Sequence, residues 1–297
     1  MTRNNRSTSD LLGLVGLLVL GLAWCAPSAL PAQSEDNSVK GHLILNGGGA
    51  KPAQVMETFV ETSGGKDARL VVIPTASGEP DTGEYYVELL QSHGAGHVEV
   101  LDIRSKDQAS DPKAVEMLSN ADGVFFSGGD QRRITAAFLD TPALQALRKA
   151  YARGAVLGGT SAGTACMSEL MLTGDGQFDR ITAKNVVLTQ GLGFFPRAIL
   201  DQHFVARQRQ NRLLAAVLEH PERLGIGVDE GTAVWLRPDQ TFKVLGESQV
   251  LVYQVNNPVA QKDGPTGSAL GSRDLTLHLL LPGDVFDLRA RKVVDGD

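Results

Sequence analysis

Five short apolar runs, at residues 42–49, 68–77, 97–103, 123–129 and 154–161, constrain this chain most, because all but the third stop on glycine or serine. Between them lie stretches with helical spacing, such as 85–93 and 142–153. Apolar runs of strand length alternating with helices predict right-handed crossovers and a parallel sheet covered on both faces. The active site of such a sheet belongs at the carboxyl ends of its strands. The expected class is α/β, with a mostly parallel sheet and helices on both sides. After Thr232 the texture changes to "AVWLRPDQTFKVLG", "SQVLVYQV" and "LTLHLLLPGDVFDL", which predict C-terminal antiparallel strands. Residues 256–272 read as a long flexible loop. A single domain over 40–297 accommodates all of this.

The first residues differ in character. Arg3 and Arg6 precede the apolar run 11–26, and small and turn-forming residues follow it, the order of a signal peptide ending near residue 32. The expectation is export to the periplasm or medium. An uncleaved anchor, or a lipoprotein built on Cys25, is the alternative; Trp24 fits lipoprotein processing poorly. The chain has 2 cysteines, so Cys166 alone remains after cleavage and no internal disulfide can form. Its apolar neighbours mark it as a small buried residue. A net charge of -6 with interleaved signs excludes a nucleic-acid footprint.

In "VLGGTSAGTACM" (156–167), Ser161 lies between Gly159 and Gly163, the G-x-S-x-G spacing of a nucleophile on a sharp strand-to-helix turn. A serine hydroxyl needs a base, and the base needs an orienting acceptor. His203 is the strongest base because "AILDQHF" carries it at a strand end, whereas His220 ends a helix and His278 lies inside a strand. "LGIGVDEG" ends a further strand in Asp229 and Glu230, so Ser161, His203 and Glu230 can meet at one cleft. The amides of Ala162 and Gly129 are the expected oxyanion donors. Gly47, Gly48 and Gly49 lack dinucleotide spacing and read as a close turn beside the cleft. No metal signature and no cofactor motif is present.

"GGDQ" (128–131), "GGTSAG" (158–163), "DQHFVARQRQNRL" (201–213) and "GIGVDEGTA" (225–233) together resemble the cyanophycinase branch of the serine peptidases that includes aspartyl dipeptidase. The resemblance implies a flavodoxin-like sheet related to class I glutamine amidotransferases, with Ser161 as nucleophile, His203 as base and Glu230 as its partner. It implies hydrolysis of cyanophycin to β-aspartyl-arginine dipeptides without metal or cofactor. Gln131, Gln202, Arg207 and Arg212 carry over as substrate-binding residues. The implied partner is cyanophycin or an aspartyl peptide, with a homodimer as an option.

Two other activities stay open at this level: an aspartyl or isoaspartyl dipeptidase, and a noncatalytic peptide-binding protein. The loops 77–83 and 256–272 are where polymer and dipeptide would be told apart. If 204–219 is one helix, Arg207 falls on its apolar arc and must either bind a substrate carboxylate or brace an acid such as Asp201. Arg209 then faces solvent.

Overall fold

A computed structural model of the chain describes residues 39–176, 179–195, 197–259 and 265–296. The segment expected to direct export lies outside the described residues. Each of the five apolar runs forms a strand: β1 (His42–Asn46), β2 (Arg69–Ile73), β3 (His97–Val100), β4 (Gly123–Phe126) and β5 (Val156–Thr160). They pair in parallel in the order β3-β2-β4-β5-β1. The crossovers contain α1 (Ala53–Thr62), α2 (Thr82–Ser92), α3 (Pro112–Asn120), α4 (Gln131–Phe138) and α5 (Pro142–Arg153). Helix starts follow local chemistry. The side chains of Asp111, Asp130 and Thr141 accept the first free N–H groups of α3, α4 and α5, and Pro112 and Pro142 sit in first turns where no N–H is missed.

The period of two along each strand divides its apolar residues between two cores. Leu43, Leu45, Phe126 and Leu157 face one side with Leu118, Phe138 and Leu147, while Ile44, Val72 and Phe125 face the other with Phe59, Tyr86 and Leu90. Both faces are covered, which is why the strands read as continuous apolar runs. Phe126 is fully buried and meets the edge of Phe138 at 5.8 Å between ring centroids, so truncating it to alanine removes about 3–5 kcal/mol.

The second half supplies the expected antiparallel strands and distributes them over more than one sheet. After the short α6 (Ala162–Ala165), β6 (Leu170–Gly176) and β7 (Val186–Gln190) make a hairpin that the sequence reading did not include. β8 (Ala198–Gln202), α7 (Gln210–Glu219) and β9 (Leu224–Val228) follow. Next come β10 (Thr232–Leu236), β11 (Thr241–Gly246), β12 (Val250–Pro258), β13 (Ser272–Leu280), β14 (Val285–Asp287) and β15 (Lys292–Val294). The antiparallel strands are shared between two sheets. β10, β11, β14 and β15 extend the parallel core beyond β1, whereas β12 and β13 join β9 and β8 in a separate sheet ordered β13-β12-β9-β8. The loop expected from 256 begins later, since β12 continues to Pro258. The inner face of the second sheet, with Leu200, Ile226 and Val252, closes one core of the main sheet; its outer face, with Ile199, Leu251 and Tyr253, is covered by α7.

Candidate active site

β5 runs directly into Ser161 and the chain turns at once into α6, which leaves the serine at φ 52° and ψ -109°. A non-glycine residue in that region is strained and must be held by its surroundings. The Ser161 N–H donates to Asn46 O at 3.1 Å, and Ser161 O accepts from the Thr164 and Ala165 N–H groups at 3.0 and 2.9 Å. Space forces the flanking glycines: a Cβ on Gly159 would lie 2.4 Å from Gly163 O, and one on Gly163 would lie 2.3 Å from Phe126 O.

His203 stands just past the end of β8, also at positive φ (50°), with its N–H donating to Gly47 O at 2.7 Å. The loop beyond it is shaped by Asp229. Its Oδ1 accepts the Val205 and Ala206 N–H groups at 2.9 Å each, and its Oδ2 accepts the Ser248 hydroxyl at 2.8 Å. Both oxygens of Asp229 are therefore engaged in holding this loop. The adjacent Glu230 places Oε1 2.5 Å from His203 Nδ1, and His203 Nε2 lies 2.8 Å from Ser161 Oγ.

A carboxylate beside Nδ1 accepts a proton held there, so Nε2 presents its lone pair to the serine hydroxyl. Burial lowers the His203 pKa below its ordinary 6.5; the hydrogen bond to Glu230 opposes that shift, and the charges of Arg207 and Arg209 reinforce it. The ring is thus neutral at neutral pH, the state a general base needs. On the other side of the serine, the loop after β4 comes close enough that a Cβ on Gly128 would touch Ser161 Cβ at 3.4 Å. Next to it, the N–H groups of Gly129 and Ala162 have no hydrogen-bond acceptor among the described residues. Two free donors beside a nucleophile can stabilise a developing oxyanion.

The glycines after β1 form the part of this arrangement that motif reading missed. Gly48 (φ 107°) lies against the imidazole so tightly that a Cβ there would sit 2.2 Å from His203 Cε1. Gly49 does the same to Glu230, at 2.8 Å from Oε2, and Gly48 O accepts the Gly231 N–H at 3.0 Å. The signal for this loop was the triple glycine itself, read as a close turn. What it turns around could not be read.

The four residues expected to bind substrate fall in different places. Gln131 is buried and its Nε2 donates to Leu172 O and Thr173 O at 2.7 and 3.0 Å, tying α4 to β6. Gln202 is buried beside His203, and its Oε1 has no hydrogen-bond partner among the described residues. Arg207 lies in the loop before α7, with 54% of its side chain exposed and Nε 4.0 Å from Glu230 Oε1. Arg212 corrects the expectation. It is 1% exposed, and its Nε donates to Asp201 Oδ2 at 2.7 Å while Nη2 donates to Asp201 Oδ1, so it braces β8 from α7 and does not reach substrate.

The helix boundary explains the exchange of roles. α7 begins at Gln210, not near 204, which puts Arg212 on the buried face and leaves Arg207 outside the helix. Arg209 is not solvated either: its Nη1 donates to Gln202 O at 2.8 Å, and burial followed by the charge of Arg212 lowers its pKa to about 10. Cys166 is fully buried, and burial raises its thiol pKa far above the ordinary value. Among the described residues no group of His, Cys, Asp and Glu converges to hold a metal ion.

A strained serine, a neutral histidine within hydrogen-bond reach and free amides beside it define a hydrolase of the serine type. The sequence profile of Peptidase family S51 matches residues 43–244, and the chain belongs to that family of serine peptidases. A cyanophycinase from Synechococcus elongatus is 35% identical over 275 residues, covering 89% of this chain and 85% of the relative. A cyanophycinase from Nostoc sp. is 36% identical over 245 residues, covering 81% and 82%. The crystal structure of a peptidase from an acI-B1 Actinobacterium superposes with a TM-score of 0.59 at 24% identity, covering 81% of this chain and 98% of that one, which shows the shared fold.

Proposed function

We propose that the protein is a cyanophycinase that cleaves the aspartate backbone of cyanophycin through Ser161, His203 and Glu230. The observation carrying the reading is the unbroken line of contacts from Glu230 through the imidazole to Ser161, at 2.5 and 2.8 Å. Identity to cyanophycinases over most of the chain supports the substrate.

In this mechanism His203 Nε2 takes the Ser161 proton as Oγ attacks a backbone carbonyl of the polymer, and Glu230 stabilises the imidazolium. The negative charge on the former carbonyl oxygen is met by the Gly129 and Ala162 amides. Collapse of that intermediate breaks the C–N bond, and His203 passes its proton to the leaving amine. Water, deprotonated by the same ring, then hydrolyses the ester on Ser161 and frees the product acid. Arg207, exposed beside Glu230, is the remaining arginine able to meet substrate carboxylates.

The test is mass spectrometry of soluble products after incubating insoluble cyanophycin with the protein and with Ser161→Ala. Release of β-aspartyl-arginine by the first alone is expected. No release from either, with isoaspartyl dipeptides cleaved instead, would replace cyanophycin by the dipeptides as substrate. Export of the mature chain is proposed on the basic, apolar and small order of its N-terminus, and loss of roughly 32 residues from the exported form, read by intact mass, checks it.

A further inference from the structure

We propose that a cavity beside Ser161, built by the segment after β2, takes the guanidinium side chain of the substrate, with Glu79 and Asp81 as its counter-charges. The inference rests on the substrate proposed above and assigns the part of the molecule that selects it. The cavity measures about 370 Å³ and is lined by Ser77, Glu79, Asp81, Thr82, Tyr85, Tyr86 and Gly128. Gly128 is the wall shared with the nucleophile, since it lies against Ser161. Whatever occupies this space is therefore next to the bond being cut.

The wall is a fixed structure. Ser77 is buried, and its Oγ accepts the Glu79 N–H at 3.0 Å and the Thr82 hydroxyl at 2.7 Å. From behind, Arg104 Nη1 donates to Thr75 O and Ser77 O at 3.1 and 2.5 Å, while its own charge is paired with Asp102. A Cβ on Gly129 would sit 2.0 Å from Ala76 O, so this segment and the oxyanion loop are packed as one unit.

The lining chooses the sign of the ligand. It contains two carboxylates and no basic side chain, and the second guanidinium against this segment, Arg133 beside Gly78, donates to Ala76 O at 3.5 Å and leaves the two carboxylates in excess. Neither Glu79 nor Asp81 has an ion-pair partner among the described residues, and the Asp81 side chain makes no capping bond to α2. The start of α2 adds roughly half a positive charge, less than two full negative ones. Tyr85, 51% exposed and edge-on to Tyr86 at 5.0 Å, supplies an aromatic wall of the kind that favours cations. A guanidinium offers five N–H donors in a plane and can engage both carboxylates together, which a neutral side chain of equal length cannot.

The experiment compares hydrolysis of aspartate-backbone polymers whose side-chain carboxyls carry arginine or its neutral isostere citrulline by the wild-type protein and by Glu79→Gln/Asp81→Asn. The wild type should prefer arginine, and the variant should raise KM for the arginine polymer by about tenfold per carboxylate removed. Its preference should disappear while phosphonate labelling of Ser161 stays within about twofold. A second measurement needs no variant: butylguanidine should slow phosphonate labelling of the wild type, and its neutral isostere butylurea should not. Retained arginine preference in the variant, or equal protection by both small molecules, refutes the pocket while cyanophycin hydrolysis stands. No turnover of either polymer by a wild type that still labels at Ser161 refutes the substrate reading and takes the pocket with it.

Discussion

Replacing Gly48 by alanine should abolish most activity while leaving a folded protein. At φ 107° the new residue occupies backbone space that disfavours a Cβ, which costs about 1–2 kcal/mol. The Cβ would also lie 2.2 Å from His203 Cε1, 2.5 Å from Nε2 and 2.8 Å from Nδ1. To regain an ordinary 3.4 Å contact, ring and loop must separate by about 1.2 Å. Much of that movement falls on the imidazole, because its other neighbour is the hydroxyl it must meet at 2.8 Å. A misplacement near 1 Å reduces catalysis by on the order of a hundredfold. Gly94 is the matched control: its φ is 98° and a Cβ there would meet nothing within 4 Å. Gly94→Ala should therefore bear the same backbone strain without touching the site. Both variants should melt a few degrees lower, at roughly 2–4 °C per kcal/mol. Gly48→Ala alone should lose about a hundredfold in product release and in phosphonate labelling of Ser161. If the two variants keep similar activity, the contact between Gly48 and the imidazole does not set the geometry of the base.

The pH dependence has a sign that two substitutions should move in opposite directions. His203 must be neutral to act, so phosphonate labelling should fall as pH drops through a folded pKa lying below 6.5. Glu230→Gln removes an influence that raises this pKa and should shift the acid limb lower as well as slowing the reaction; Arg207→Ala removes one that lowers it and should shift the limb higher. Shifts of the same sign in both would contradict the arrangement. Arg212→Ala should destabilise the fold by about 3 kcal/mol in denaturant unfolding, since it removes the guanidinium that engages both oxygens of the buried Asp201 carboxylate and leaves it only the longer ion pair to Arg209 at 3.7 Å. A normal unfolding midpoint with a raised KM would restore Arg212 to the substrate.

The parallel core was legible because each buried strand appears as a run bounded by turn residues, and the elbow because two glycines at fixed spacing serve a steric need. Ser161, His203 and Glu230 could be singled out for a related reason: each follows a strand end, where reactive groups in such sheets collect. The division into two sheets was not legible. β12 and β13 alternate no differently from β10 and β11, and which sheet a strand joins depends on partners distant in sequence. The arginines of 207–212 were misassigned by a helix boundary. Starting α7 near 204 instead of at Gln210 exchanges an exposed position for a buried one, and boundaries are where local sequence says least.

That same division explains why residues with no reactive group govern the site. Ser161 hangs from β5 of the main sheet, whereas His203 and Glu230 follow strands of the second. No single strand fixes the distance between nucleophile and base. The junction is the end of β1. Asn46 O accepts the Ser161 N–H and the Thr164 hydroxyl at 3.1 and 2.7 Å, while its Oδ1 accepts the Gly48 N–H and the Thr160 hydroxyl at 2.7 and 3.0 Å. Gly47 O and Gly48 O then hold the N–H groups of His203 and Gly231 at 2.7 and 3.0 Å. The strained conformations of Ser161 and His203 are thus tied to one buried turn, whose geometry both must obey. A motif search follows reactive side chains and passes over such a turn, although it is the shared support from which their separation is set.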